Sequence, residues 1–379
     1  MRINCDRLSL TEAVTNVMKA VSGKTSAVNP VLEGILLSAD NGAVKLTAYD
    51  LKLGISTSTE AEVEEAGTVV VPANYFYSII RKMPEDRIII SSDIKDRITL
   101  ESGLSIFNIL GLPAGDFPEL PQVETGSAFA ADRTLIKDMI DMTHYAIAQN
   151  DETRPVQTGA LFEAKDGVLY VVAVDGFRLA LRREKLESGQ DEFKFIVPGK
   201  TLSELSRLIE YTGKQDSAEN ARLEIKFSTK HAVFALDEYT VFTRLLEGEF
   251  LDYSHTIPAG AQTVVTADTQ GLSDSIDRVS TLITERLKSP LRCLFENNSL
   301  KISCVTANGR SYDEVNCAID GSIVDIGFNS RFLLDALKAS GEKEIRLEIN
   351  GPLSPMKVLP KAGDKFVFLV LPMRLKNEA

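Results

Sequence analysis

Residues 34–49 read GILLSADNGAVKLTAY, two alternating apolar runs on either side of Asp40-Asn41-Gly42. Asn-Gly is the favoured centre of a tight hairpin because both of its residues must take positive φ. The stretch predicts paired strands over Gly34–Ala39 and Val44–Tyr49. Upstream, Ser9-Leu10-Thr11-Glu12 has the form of a capping box, and Leu10, Ala13, Val14, Val17, Met18 and Val21 follow at helical spacing. Downstream, Val69-Val70-Val71-Pro72 reads as a strand entering a helix with Phe76, Ile79, Ile80 and Met83 on one side. Alternating strands follow at Arg87–Ile90 and Ile98–Glu101.

The same order returns about 125 residues later. Leu135, Met139, Ile140 and Thr143 share a helix face, and Ala160–Ala164 and Val168–Val174 flank Asp166-Gly167. Phe195-Ile196-Val197-Pro198 then enters a helix carrying Leu202, Leu205, Leu208 and Ile209, followed by Leu223–Phe227 and Ala232–Leu236. A third pass has Leu272, Ile276, Val279, Leu282 and Ile283 on a helix, then Leu291–Glu296 and Leu300–Val305 about Asn297-Asn298. Asp325-Ile326-Gly327-Phe328 leads into Phe332, Leu333, Ala336 and Leu337, and Ile345–Ile349 and Lys365–Val370 close the pass. A fixed period of this kind means one structural unit used repeatedly. The expected fold class is α+β, with three tandem domains of two helices packed on antiparallel sheets. Proline-rich Gly111–Gln122 and His255–Gln262 read as linkers, giving domains over 1–121, 128–256 and 259–379.

Of the 379 residues, 44% are apolar and 25% charged, which suits a globular core and excludes collagen, low-complexity disorder and a disulfide-stapled miniprotein. No run approaches the roughly 18 apolar residues of a membrane span. MRINCDRLSL places charges where a signal peptide needs an apolar run, so a cytoplasmic protein is expected. Cys5, Cys293, Cys304 and Cys317 contain no C-x-x-C pair and read as buried, reduced small hydrophobes. No metal site is expected. The net charge of −12 argues against phosphate binding on average, although a local basic surface can exist within an acidic total.

Enzyme signatures fail one after another. Ser22-Gly23-Lys24-Thr25 ends like a P-loop, but Met18 stands where the first glycine belongs, and the segment follows a helix. G-x-G-x-x-G, G-x-S-x-G and H-E-x-x-H are absent, and His144, His231 and His255 lie in unrelated contexts. Asp50 and Asp175 occupy equivalent repeat positions, which favours a turn role over paired-carboxylate catalysis. No catalytic residue and no cofactor are expected.

Four further segments carry a resemblance. Val174-Asp175-Gly176-Phe177-Arg178-Leu179-Ala180, Phe250-Leu251-Asp252-Tyr253, Leu112-Pro113-Ala114-Gly115-Asp116-Phe117-Pro118 and Leu371-Pro372-Met373-Arg374-Leu375 resemble, in order, T-D-G-x-R-L-A, F-P-D-Y, L-P-A-x-D-F-P and M-P-M-R-L of the bacterial DNA polymerase III β subunits, the sliding clamps. The resemblance spans the whole chain. It implies a head-to-tail homodimeric ring of six domains whose helices line a hole around duplex DNA, bound without sequence readout. Implied DNA-facing residues are Lys19, Lys24, Arg81, Lys82, Lys137, Lys200, Arg207, Arg278, Arg286, Lys288, Arg331 and Lys338, diluted by Asp138, Asp141, Asp277 and Asp335.

It also implies a peptide-binding groove formed by Leu161, Val174, Gly176, Phe177, Arg178, Leu179, Leu251, Thr256, Leu369, Leu371, Pro372, Met373 and Arg374. Leu251, Thr256 and Leu371 depart from the family pattern, and Lys376-Asn377-Glu378-Ala379 extends past the usual end and would shade the groove. Phe107 and Ile109 are implied to meet Thr281 and Leu282 of the second copy. Implied partners are double-stranded DNA, the replicative polymerase catalytic subunit, an ATP-driven clamp loader, and other proteins with a clamp-binding motif, among them repair polymerases, mismatch-repair proteins and ligase. The rival readings are an interaction scaffold of the same fold that does not encircle DNA, and a cytosolic hydrolase.

Overall fold

The computed structural model describes all residues except 24–28, 122, 124–125, 187–191, 216–221, 285–288 and 376–379. Its helices are α1 (Arg7–Val17), α2 (Ala73–Ile80), α3 (Arg133–Asp141), α4 (Gly199–Gln215), α5 (Thr269–Ser280) and α6 (Ser330–Ser340), two in each sequence repeat. None is long and apolar enough to cross a membrane. The first helix starts two residues before Ser9. Asp6 caps it, because its carboxylate accepts hydrogen bonds from both the Ser9 N–H at 2.7 Å and the Ser9 hydroxyl at 2.8 Å. The Ser9–Glu12 capping box is therefore superseded by a stronger, charged cap.

All three hairpins form at the expected turns. Asn41 and Gly42, Asp166 and Gly167, and Asn297 and Asn298 all have positive φ, the conformation that matches the twist of the flanking strands.

The chain divides into two compact units. The first, Met1–Lys137 with Ser203–Leu245, holds a twelve-stranded antiparallel sheet. Its main path runs from Ser105–Leu110 at one edge, through Arg97–Ser102, Arg87–Ser92 and Arg2–Asp6, to the long strand Leu53–Glu65. From there it continues through Tyr239–Arg244, His231–Leu236 and Arg222–Phe227 to Ser127–Asp132. The second unit, Asp138–Leu202 with Leu246–Ala379, holds a nine-stranded sheet and a four-stranded sheet. In the larger one, Arg178–Lys185 pairs with Phe366–Val370. In the smaller one, Gly309–Asn316 and Val324–Phe328 form the two edges.

The chain between residues 128 and 256 thus contributes strands to both units. Sequence periodicity counts repeats, whereas contacts follow strand pairing, and each junction between consecutive repeats is an antiparallel pair of edge strands. Phe76, Phe234 and Phe242 are fully buried in the first unit, and Phe162, Phe295, Phe328, Phe366 and Phe368 in the second. Each such ring contributes about 1.5–3 kcal/mol by leaving water.

All four cysteines are buried and free. Burial pushes the thiols of Cys5 and Cys293 up to about 12 and that of Cys317 up to about 11, so the nucleophilic thiolate is scarce near neutrality. Iodoacetamide at pH 8 is expected to leave the native chain unlabelled within an hour and to label all four sites in urea. Mass spectrometry reads the result, and labelling of native Cys5 or Cys293 would refute it.

Candidate functional site

The segment Asp175–Arg178 leaves one strand and enters the next through a tight loop. The Asp175 carboxylate accepts from the N–H groups of Phe177 at 2.9 Å and Arg178 at 3.0 Å. Gly176 takes φ +86°, and a Cβ there would stand 3.2 Å from the Arg154 guanidinium. The turn role expected for Asp175 is what the geometry provides, and Asp50 repeats it with the N–H groups of Lys52 and Leu53.

Arg178 is buried, and its charge is answered on every side. Its Nε donates to Asp175 at 2.9 Å and its Nη1 to Asp335 on α6 at 2.5 Å. Its guanidinium carbon lies 4.6 Å from the ring centroid of Phe332 and 5.2 Å from that of Tyr145, distances at which cation–π attraction operates. Phe177 is 61% exposed and stacks on Phe332 at 6.1 Å. Asp335, named above only as a diluting acid, is therefore a partner of Arg178. That Tyr145, Phe332 and Asp335 gather around Arg178 has no local sequence signal, because the Arg178–Asp335 pair spans 157 residues.

The C-terminal segment closes against this loop. The Leu371 N–H donates to the Phe177 carbonyl at 2.9 Å and the Met373 N–H to the Gly327 carbonyl at 2.8 Å. The thirteen groove residues named from the sequence all fall within the second unit. Leu161, Val174, Leu179 and Leu369 are buried in one apolar cluster with Phe250. Gly176, Phe177, Leu251 and Arg374 are exposed, while Thr256, Leu371, Pro372 and Met373 are half-buried. Phe177, Leu251, Leu371, Pro372 and Met373 are the apolar members of this set that keep some exposure, and the thioether of Met373 is flexible. Residues 376–379 lie outside the described residues.

The named cations lie on or directly after helices. Arg81 and Lys82 follow α2, Lys137 is on α3, Lys200 and Arg207 on α4, Arg278 on α5, and Arg331 and Lys338 on α6. Lys19 lies in the short helical turn after α1, while Lys24, Arg286 and Lys288 lie outside the described residues. Several are partly neutralised. Arg278 donates to Asp313 at 2.9 and 2.6 Å, and Arg207 bonds Glu204 and Asn16, both at 2.8 Å. Lys137 lies 3.9 Å from Glu210. Among the described residues, Lys82, Arg331 and Lys338 form no ion pair and are exposed.

Phe107 and Ile109 sit on Ser105–Leu110, the edge of the twelve-stranded sheet, with Leu110 70% exposed beside them. Thr281 and Leu282 directly follow α5. The neighbouring edge strand Gly309–Asn316, with exposed Tyr312, was not identified from the sequence because it is mostly polar and buries neither face.

Three family models match in tandem: the DNA polymerase III beta subunit N-terminal domain over residues 1–121, its central domain over 131–252, and its C-terminal domain over 254–374. The chain is 31% identical to a beta sliding clamp of Halalkalibacterium halodurans, over 99% of this chain and 100% of that one. Against the solved sliding clamp of Bacillus subtilis the TM-score is 0.93 at 29% identity, covering 99% and 100% of the two chains. A Pseudomonas aeruginosa sliding clamp solved with griselimycin bound gives a TM-score of 0.91 at 29% identity, covering 99% and 100%.

Proposed function

This chain belongs to the DNA polymerase III beta subunit family, and on that premise we propose that it works as a homodimeric DNA sliding clamp, a closed ring that encircles duplex DNA and tethers a replicative polymerase. The tandem match of all three clamp domains across the chain carries this reading. The three-domain partition 1–121, 128–256 and 259–379 is the repeat from which the ring is built.

Retention in this scheme is topological. A clamp that must slide needs only weak, sequence-independent attraction inside the ring, and an overall charge of −12 discourages phosphate binding elsewhere. Cations that form no ion pair among the described residues, such as Lys82, Arg331 and Lys338, supply that attraction, while paired ones such as Arg278 supply less. Closure joins two open sheet edges, Ser105–Leu110 of one copy and Gly309–Asn316 of the next, which removes both edges from solvent.

The groove about Val174–Leu179 and Leu369–Arg374 receives short apolar peptide segments of the polymerase, the loader and repair proteins. The chain's part is non-catalytic, and ring opening is driven by the separate loader. Electron microscopy of the purified protein tests the scheme. A two-subunit ring with a hole wide enough for duplex DNA is expected, and compact particles without a hole would leave the scaffold reading in its place.

A further inference from the structure

The first unit repeats the framework of the groove with different contents. Asp50 accepts from the N–H groups of Lys52 at 3.0 Å and Leu53 at 2.7 Å, as Asp175 does from Phe177 and Arg178. Leu51 takes φ +71° where Gly176 takes +86°. The Lys52 carbonyl accepts from the Arg244 N–H at 2.8 Å, as the Phe177 carbonyl accepts from Leu371 at 2.9 Å. Register follows, so that Gly54 pairs with Phe242 where Leu179 pairs with Leu369. The linkers correspond as well, Asp116-Phe117-Pro118-Glu119-Leu120 with Glu249-Phe250-Leu251-Asp252-Tyr253, and each buries its phenylalanine.

Two differences decide the outcome. Glycine stands at 54 where the groove has Leu179, and the space is taken by Leu120: a Cβ on Gly54 would lie 2.7 Å from the Leu120 Cδ2 and 3.3 Å from the Tyr49 ring. Leu120 packs on the apolar cluster of Val31, Tyr49, Val70, Phe117 and Phe242. In the second unit the counterpart of Leu120 is Tyr253, which is tied instead to Glu163 by its hydroxyl at 2.5 Å, with its ring 6.4 Å from Tyr170.

We propose that the surface about Asp50–Gly54 and Phe242 is a second, latent site for a short leucine-bearing peptide, plugged in the free chain by the chain's own Leu120. The inference rests on the reading of Val174–Leu179 and Leu369–Arg374 as a peptide groove, since it argues from their shared framework. A tethered side chain competes at an effective concentration on the millimolar scale or above. A micromolar partner therefore fills only the open groove, and each chain offers one docking site.

The test is calorimetric titration of the full chain with an acetylated pentapeptide ending in Leu-Phe. The unmodified protein is expected to bind one peptide per chain, and Leu120→Ala two, the added site being roughly tenfold or more weaker. A folded Leu120→Ala chain that still binds one peptide, with its first site unchanged, overturns the proposal, as does an unmodified chain that binds two. An unmodified chain that binds none sinks the groove reading itself. If Leu120→Ala fails to fold, the unmodified chain decides by NMR. With the first groove saturated, tens of millimolar peptide must shift the δ-methyl resonances of Leu120, and methyls that stay still overturn the proposal.

Discussion

Phe107→Asp is expected to yield a folded monomer. Phe107 is 43% exposed in the chain and points no polar group at solvent, so exchanging it creates no cavity in the first unit. It belongs to an edge strand that also exposes Ile106 and Leu110, a row of apolar side chains and open backbone groups suited to pairing with another copy. An aspartate in a buried copy-to-copy contact loses the aromatic contribution of about 1.5–3 kcal/mol and adds a carboxylate desolvation cost of several kcal/mol. A change of about 4 kcal/mol per interface is roughly a thousandfold in Kd, and a closed ring carries two such interfaces. Sedimentation velocity at micromolar protein should show a single species near 41.5 kDa. A persistent dimer would move the interface away from Ser105–Leu110.

Arg178→Ala is expected to be the more damaging change to stability and to abolish peptide binding. Removing the guanidinium leaves the carboxylates of Asp175 and Asp335 facing each other's site without their cation, and strips Phe332 and Tyr145 of a shared neighbour. Breaking a buried pair from one side costs about 3–5 kcal/mol. Because Asp335 keeps some solvent contact, the lower end of that range, about 3 kcal/mol, is expected in a urea unfolding series. Arg178→Lys should recover little, since one ammonium cannot bridge two carboxylates and lie between two rings. An Ala variant as stable as the parent would mean that the loop is held by Asp175 alone.

Much of the architecture was legible because its signals are local. Hairpin turns such as Asn41-Gly42 and Asn297-Asn298 announce themselves by residue type, and the helix faces by spacing. The strands that knit the repeats together were not visible in the same way. Leu53–Glu65 and Tyr239–Arg244 pair across almost the whole first unit, and no short window contains both partners. The same limit applies at the groove. Gly176 and Met373 stood out within recognisable segments, whereas Tyr145, Phe332 and Asp335 acquire meaning only once Arg178 is placed among them. The cap at Asp6 was missed for a different reason, namely competition between two plausible capping residues three positions apart.

The pairing of Gly54 with Phe242 sets a timetable for biosynthesis. The backbone of Leu53–Ser56 meets its partner strand only when residues 239–244 have been made, some 180 residues after the end of Leu53–Glu65. At about 5–20 residues per second this leaves the nascent chain with an unpaired edge for roughly ten to forty seconds. The waiting edge is only four residues long, Leu53–Ser56, because Ala61–Glu65 at the other end of the strand already pairs with Arg2–Cys5. So short an edge is poor material for pairing with a neighbouring nascent chain. The order of synthesis thus leaves little of this strand open during the interval on the ribosome before the continuous sheet exists.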